Sequence, residues 1–274
     1  MDRSILNGLP ARTAPVSLRF EACRDGCCRQ TFEIAPAPSP SLAMTSPYSL
    51  GTNVFYCELD AAVIFLDVGA DTYSRLTPDQ AAWFREIRSA EDPARLDRNA
   101  RRFVRHLLTK GLLIPAVSTG GPLEGTQRQQ ARSSLMDTML ADPPSASPGQ
   151  CVQFAYAVLA AGFLERTGSF ARVLSRARRW KRTTRKQGPV PDARVHLLTR
   201  IFDNLSPYML TRHDACRFRS LALLRFLSLS GVSADWVFGV RLSPFGAHCW
   251  VEYGDLILND HADNTAEYKP IMIV

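Results

Sequence analysis

Apolar and polar positions divide this chain into two blocks with different periods. Asn53–Leu59 and Ala62–Val68 are rich in Val, Phe, Tyr and Ile, which predicts two strands. A third, shorter strand is expected over Thr72–Leu76, after the turn Gly69-Ala70-Asp71. Thr77-Pro78-Asp79 then opens a helix, with Thr77 as N-cap and Pro78 at the first helical position. Ala81, Ala82, Phe84 and Ile87 recur at helical spacing and form its apolar face. A further helix is predicted from about Asp97 to Lys110, with Phe103, Val104, Leu107 and Leu108 turned inward and Gly111 ending it.

The second block starts with helices. Cys151–Arg166, Ser169–Trp180 and Asp192–Leu205 read as three, and a fourth opens at Cys216. Strands follow at Ala234–Leu242, Ala247–Tyr253 and Leu256–Asp260. Helices first and strands later is an α+β pattern. Residues 116–148 are rich in Gly, Gln, Ser and Pro, with one short helix expected around Arg128–Leu140, and read as a linker. Residues 1–46 contain Ala35-Pro36-Ala37-Pro38-Ser39-Pro40 and read as an unstructured extension. Met44, just ahead of the first strand signal, is an alternative start. The expected division is 1–46 extension, 47–115 first domain, 116–148 linker and 149–274 second domain.

At 274 residues and 46% apolar content, both blocks are large enough to bury cores. The seven cysteines are an odd number without regular spacing, which argues against a disulfide framework and for a reducing, cytoplasmic setting. Cys23, Cys27 and Cys28 have no histidine nearby, so no metal site is expected there. No signal peptide is apparent. Phe154–Leu164 is the longest apolar run, well short of the ~20 residues of a membrane span, and reads as a buried helix. The net charge of +7 permits an acidic partner. Residues 166–186 hold nine Lys/Arg and no Asp/Glu, which keeps a phosphate-binding role open beside the commoner solvated helix face.

The chemistry lies in the second block. Cys216 opens an apolar helix that Asp214 or Thr211 caps. A thiol in a first helical turn meets unpaired N–H groups and the positive end of the dipole, both of which favour thiolate. The competing reading is a small buried hydrophobe. His248 lies in the strand-like Gly246-Ala247-His248-Cys249-Trp250-Val251-Glu252, and Asp260 ends Leu256-Ile257-Leu258-Asn259-Asp260. A three-residue loop Tyr253-Gly254-Asp255 sets Glu252 opposite Leu256, Trp250 opposite Leu258 and His248 opposite Asp260, on one sheet face. A two-residue Gly254-Asp255 turn shifts the register and separates them. In the first register Cys216 is the nucleophile, His248 the general base and acid, and Asp260 the orienting carboxylate. Cys249 alternates away and reads as core. His213, His261 and Asp263 are rivals; His106 and His196 read as structural; Trp250 shares the face of His248.

The run Cys216…Ser220-Leu221-Ala222-Leu223-Leu224…Val237-Phe238-Gly239-Val240…Pro244-Phe245-Gly246-Ala247-His248-Cys249-Trp250-Val251-Glu252…Leu258-Asn259-Asp260 is similar to lasso-peptide maturation B proteins, of the transglutaminase-like cysteine protease superfamily. The resemblance covers roughly residues 150–265. It implies a transglutaminase-like, papain-like α+β protease domain that removes the leader of a ribosomal precursor. The freed core amine is then joined to a side-chain carboxylate by a separate, asparagine-synthetase-like cyclase. No cofactor is implied for the protease; ATP enters through that cyclase. The first block resembles the precursor-recognition element, a small winged-helix-like β3α3 domain related to the PQQ-biosynthesis chaperone. By that resemblance the leader pairs with Tyr73, Ser74, Arg75 and Leu76 and packs on Phe103 and Leu107. Neither nucleic acid nor a membrane span is expected. Alternatives are a transglutaminase or acyltransferase on the same scaffold, and a winged-helix nucleic-acid-binding protein.

Overall fold

The computed structural model describes residues 46–90, 92–116, 123, 125, 126, 128, 130–138, 144–186, 188, 190–210 and 216–274. The extension, Met44 and Cys23, Cys27 and Cys28 therefore lie outside the described residues. The first block forms strands β1 (Tyr48–Leu50), β2 (Val54–Leu59), β3 (Ala62–Asp67) and β4 (Thr72–Arg75), helices α1 (Pro78–Ser89) and α2 (Arg98–Thr109), and strand β5 (Leu113–Pro115). Strands β2-β3-β4 make an antiparallel meander, with the outer edge of β4 unpaired among the described residues, and β1 pairs with β5. Thr77 caps α1 reciprocally: its hydroxyl accepts from the Gln80 N–H, and the Gln80 side chain accepts from the Thr77 N–H. Gly111 takes the left-handed conformation past α2, at φ 69°. Between the helices stands a single 3-10 turn, Pro93–Arg95.

Strand β3 is apolar at nearly every position rather than at alternate ones, and it is buried on both faces. Val63 and Phe65 join Val54, Tyr56, Phe84, Phe103 and Leu107 in the core under α1 and α2. Ile64, Leu66 and Val68, with Cys57 from β2, face the other way and belong to the core of the second block. The sheet is thus a shared wall, and residues 44–274 form one compact unit. Polar ties follow the same boundary. Arg178 donates to Asn53 at 3.2 Å, and Arg217 bridges Glu165 at 2.8 Å and Asp71 at 3.5 Å.

The second block contains β6 (Ser133–Ser134), α3 (Pro148–Thr167), α4 (Phe170–Arg185), α5 (Asp192–Leu205), α6 (Cys216–Leu229), β7 (Asp235–Leu242), β8 (Phe245–Tyr253), β9 (Leu256–Ile257), α7 (Ala262–Ala266) and β10 (Lys269–Ile273). Its sheet runs β10-β7-β8-β9-β6. Helix α6 packs between α3 and β8. Helix α3 begins three residues before the sequence-based start, because Ser147 and Gln150 form a second capping box around Pro148. The expectation of a buried helix holds for one face of α3 only: Phe154, Ala157, Val158 and Ala161 are buried, whereas Val152, Tyr156, Leu159 and Phe163 are exposed. Helix α4 continues to Arg185, since Lys and Arg are good helix formers on a solvated face.

Among the described residues between 128 and 138 no α-helix forms. These residues run extended along the sheet, with a short 3-10 turn at Met136–Thr138. Ser133 and Ser134 pair in parallel with Leu256 and Ile257, and Arg128 donates to the Gly254 carbonyl at 2.9 Å. Strand β10 was not foreseen: Pro270 interrupts its short apolar run. Its place at the sheet edge explains how a proline is tolerated there.

Candidate active site

Helix α6 is described from Cys216; Thr211, His213 and Asp214, the expected caps and one rival base, lie outside the described residues. Behind the thiol stands Cys249 on β8, its sulfur 3.7 Å from that of Cys216. Cys249 is buried, and burial drives its own ionisation well above the ordinary thiol range. It therefore stays neutral and donates its S–H. That hydrogen bond is the largest influence lowering the Cys216 pKa to about 4; desolvation opposes it, and His248 and the Cys249 backbone add to it. Burial pushes the Cys57 thiol up to about 12. Cys216 is thus the cysteine poised as a thiolate. Alternation predicts Cys249 as a packing residue, which it is, and no sequence signal marked it as a partner for the Cys216 thiol.

His248 sits on β8 opposite Gly239 of β7. Its Nε2 is hydrogen-bonded to Asp260 Oδ2, and its ring is close enough to hydrogen-bond Cys216. With Nε2 engaged, Nδ1 is the nitrogen left for the thiol. Burial disfavours the imidazolium, but the bonds to Asp260 and to the Cys216 thiolate outweigh it and raise the pKa to about 9. Asp260 is lowered: desolvation acts against it, and the His248 and Asn264 hydrogen bonds prevail. The resting site is therefore a thiolate–imidazolium pair with a carboxylate behind it.

The route by which His248 meets Asp260 differs from the expected one. The turn has two residues, Gly254 and Asp255, with Tyr253 opposite Leu256 and Glu252 opposite Ile257. Gly254, at φ 60°, holds the first central position, the glycine place of a type II′ hairpin. That signal was present in the sequence. On the expectation above, this register separates the pair. It does not, because β9 ends at Ile257. Leu258 N–H still bonds the Val251 carbonyl at 2.8 Å, and then the Asn259 side chain accepts from Val251 N–H at 2.8 Å. The main chain turns away at Asn259, and Asp260 swings back to His248. Ser134 holds the Asp260 carbonyl in this position.

The ring of Trp250 stacks on His248, with centroids 5.9 Å apart, and its indole N–H bonds buried Glu252 at 2.7 Å. Gly239 leaves room for that indole: a Cβ there stands 2.8 Å from the ring and 2.9 Å from Tyr268 Cβ. Gly239→Ala is expected to displace Trp250 and destabilise the fold by about 1–3 kcal/mol. A chemical denaturation curve checks this, and a wild-type midpoint contradicts it. The described rivals are elsewhere: His261 bonds Asp137 at 2.6 Å on the surface, and Asp263 lies in the first turn of α7. His106, read as structural, stacks on Phe103 in α2.

A helix-borne cysteine, a strand-borne histidine and a following aspartate all fall within residues 157–273, which match the family model of the transglutaminase-like superfamily. This chain carries a transglutaminase-like domain. The chain is also similar to the microcin J25-processing protein McjB of Escherichia coli, 37% identical over 67 residues. That match covers 24% of this chain and 32% of McjB, so the chain spans about a third of the length of the curated relative it matches. No solved structure matches the chain significantly.

The edge strand β4 lies beside the transglutaminase-like site. Tyr73 packs edge-on against Phe245 at 6.0 Å, and Asp71, just ahead of β4, is tied to Arg217, the neighbour of Cys216. Tyr73, Ser74 and Arg75 pair inward with Leu66, Phe65 and Ile64 and leave their outer edge open. Leu76, Phe103 and Leu107 are buried in the first core. Among the described residues, no helix is long and apolar enough to cross a membrane.

Proposed function

We infer that this chain is a cysteine peptidase that cuts the leader from a ribosomally made lasso-type precursor. The observation that carries the reading is the continuous Cys216–His248–Asp260 chain, with the thiol held as thiolate and the imidazole as imidazolium. The thiolate attacks the scissile carbonyl. His248 gives its proton to the departing core amine, leaving the leader as a thioester on Cys216. Neutral His248 then takes a proton from water, whose hydroxide releases the leader acid and regenerates the thiolate. Asp260 keeps the ring oriented and its charged form stable. No step needs a cofactor; ATP belongs to the amide-forming reaction of a partner cyclase, which takes the freed amine. A reducing cytoplasm suits a thiolate of this kind.

The similarity to a relative named as a processing protein supports this substrate class. So does the edge of β4, open among the described residues, where a peptide can add as a further strand and bond the backbone of Tyr73–Arg75. Incubation with a lasso precursor should yield two fragments whose masses sum to that of the precursor plus water. Loss of ammonia, the signature of transamidation, is the result that would sink it.

The pH dependence follows from the pair. Below about 4 the thiolate is protonated, and above about 9 the imidazolium is lost, so kcat/KM should be flat between these limits and fall on both sides. A profile that rises only through pH 8–9, as for an ordinary thiol, contradicts it.

A further inference from the structure

Each triad residue has a near neighbour in one small polar joint. Ser220 lies one helical turn after Cys216 on α6, so both project from the same helix face. Cys249 follows His248, and Asn259 precedes Asp260. The Asn259 amide N–H donates to the Ser220 hydroxyl at 3.0 Å, and that hydroxyl donates to the Cys249 carbonyl at 3.2 Å. The Asn259 carbonyl oxygen accepts from Val251 N–H at 2.8 Å. Ser220 is fully buried, with 0% exposure, beside Leu221, Leu224 and Val251 of the apolar core. A buried hydroxyl in such a place is costly unless all its bonds are made, and here both are.

We propose that Ser220 and Asn259 form a latch that sets the three catalytic elements in register, with both acting as positioning residues for Cys216, His248 and Asp260. The inference rests on the peptidase reading. Its physical basis is the end of β9. Past Leu258, whose N–H still bonds the Val251 carbonyl, no described strand remains to pair with β8, and the Cys249 carbonyl and the Val251 N–H face the gap. Ser220 from the helix takes the carbonyl of Cys249, and Asn259 takes the N–H of Val251. Their mutual bond joins the two substitutes. The helix that bears the thiol, the strand that bears the imidazole and the bend that bears the carboxylate are thereby fastened at one point. A hydrophobic contact could hold these elements together but would not fix their rotation.

Two readouts test the latch. The first is alkylation of Cys216 by iodoacetamide as a function of pH, followed by peptide mass mapping, which needs no peptide substrate. The groups facing the thiol–imidazole pair are Cys249 from β8, Asp260 after β9, Tyr73 from β4 and Tyr268 just ahead of β10, and all of them remain in the variants. In Asn259→Ala the acid limb of alkylation should move up by one pH unit or more, because His248 loses its aligned carboxylate. The second readout is cleavage: kcat should fall on the order of 100-fold, the scale of an ångström-sized misplacement, with KM little changed. Ser220→Ala should behave alike, and Ser220→Thr, which keeps the hydroxyl, should recover most of the rate. Asn259→Asp keeps the acceptor for Val251 and loses the donor to Ser220, so it serves the same comparison if the alanine variant does not fold. Folded variants with the wild-type limb and the wild-type kcat would overturn the latch alone. An ordinary thiol limb in the wild type would overturn the peptidase reading and the latch with it.

Discussion

Cys216→Ala should leave a lasso precursor uncut, at a rate reduced by roughly 10⁵–10⁶, while the protein stays folded. The sulfur makes the bond-forming attack, and no other described cysteine is placed to replace it: Cys249 is buried and neutral, Cys57 is pushed up to about 12, and Cys151 stands exposed near the start of α3. The site acts as a unit, so His248→Ala should lose nearly as much as the nucleophile variant. Asp260→Ala or Asp260→Asn should be milder and retain measurable turnover, since the carboxylate orients and stabilises without touching the substrate. Because Cys216 is only partly buried, removing its sulfur opens little cavity, and the melting temperature should move by a few degrees at most. Mass spectrometry of the reaction and a melting curve decide this together. Cleavage by folded Cys216→Ala at the wild-type rate would end the proposed mechanism.

Leu66→Ala is the second large effect, and it is one of stability. Leu66 has no exposed surface and points from β3 into the core of the second block, although it belongs to the first. Truncating a buried leucine costs about 2–5 kcal/mol, from lost transfer energy plus the cavity left behind. The shared wall predicts where that loss is felt. Residues on both sides should melt together and earlier, in one transition, and the pH profile of Cys216 alkylation should disappear at the same temperature. Two separate transitions, with only the lower one moved, would mean that the sheet and the catalytic half fold independently.

The elements of the first block were largely legible because their signals are local. Thr77-Pro78 and Gly111 bracket the helices where propensity and capping place them. The continuous apolar run from Ala62 to Leu66 carried more than a strand assignment: with no polar alternation, it already implied cover on both faces. Fold class was readable from residue type and order, and so were the three residues that the structure brings together, Cys216, His248 and Asp260. The geometry joining them was not. His248 and Asp260 meet through the early end of β9 and a side chain, Asn259, that stands in for a strand; pairing rules see neither. Cys249 is the core residue that alternation predicts, but its contact with the Cys216 sulfur stayed hidden for a related reason. Alternation tells which way a side chain points, but only packing of α6 on β8 brings a second sulfur beneath the nucleophile. Strand β10 stayed hidden because its partner, β7, is distant in sequence and its proline suggested a break.

The double-sided burial of β3 also bears on exchange between proteins. A module hung on a flexible tether can be replaced by any other of matching outline. Here a transplanted sheet would have to match two surfaces at once. One is the lid of its own helices; the other is the face of Cys57, Ile64, Leu66 and Val68 against the catalytic half. A substitution on this sheet therefore has to suit both surfaces at once, and neither half can be repacked without regard to the other.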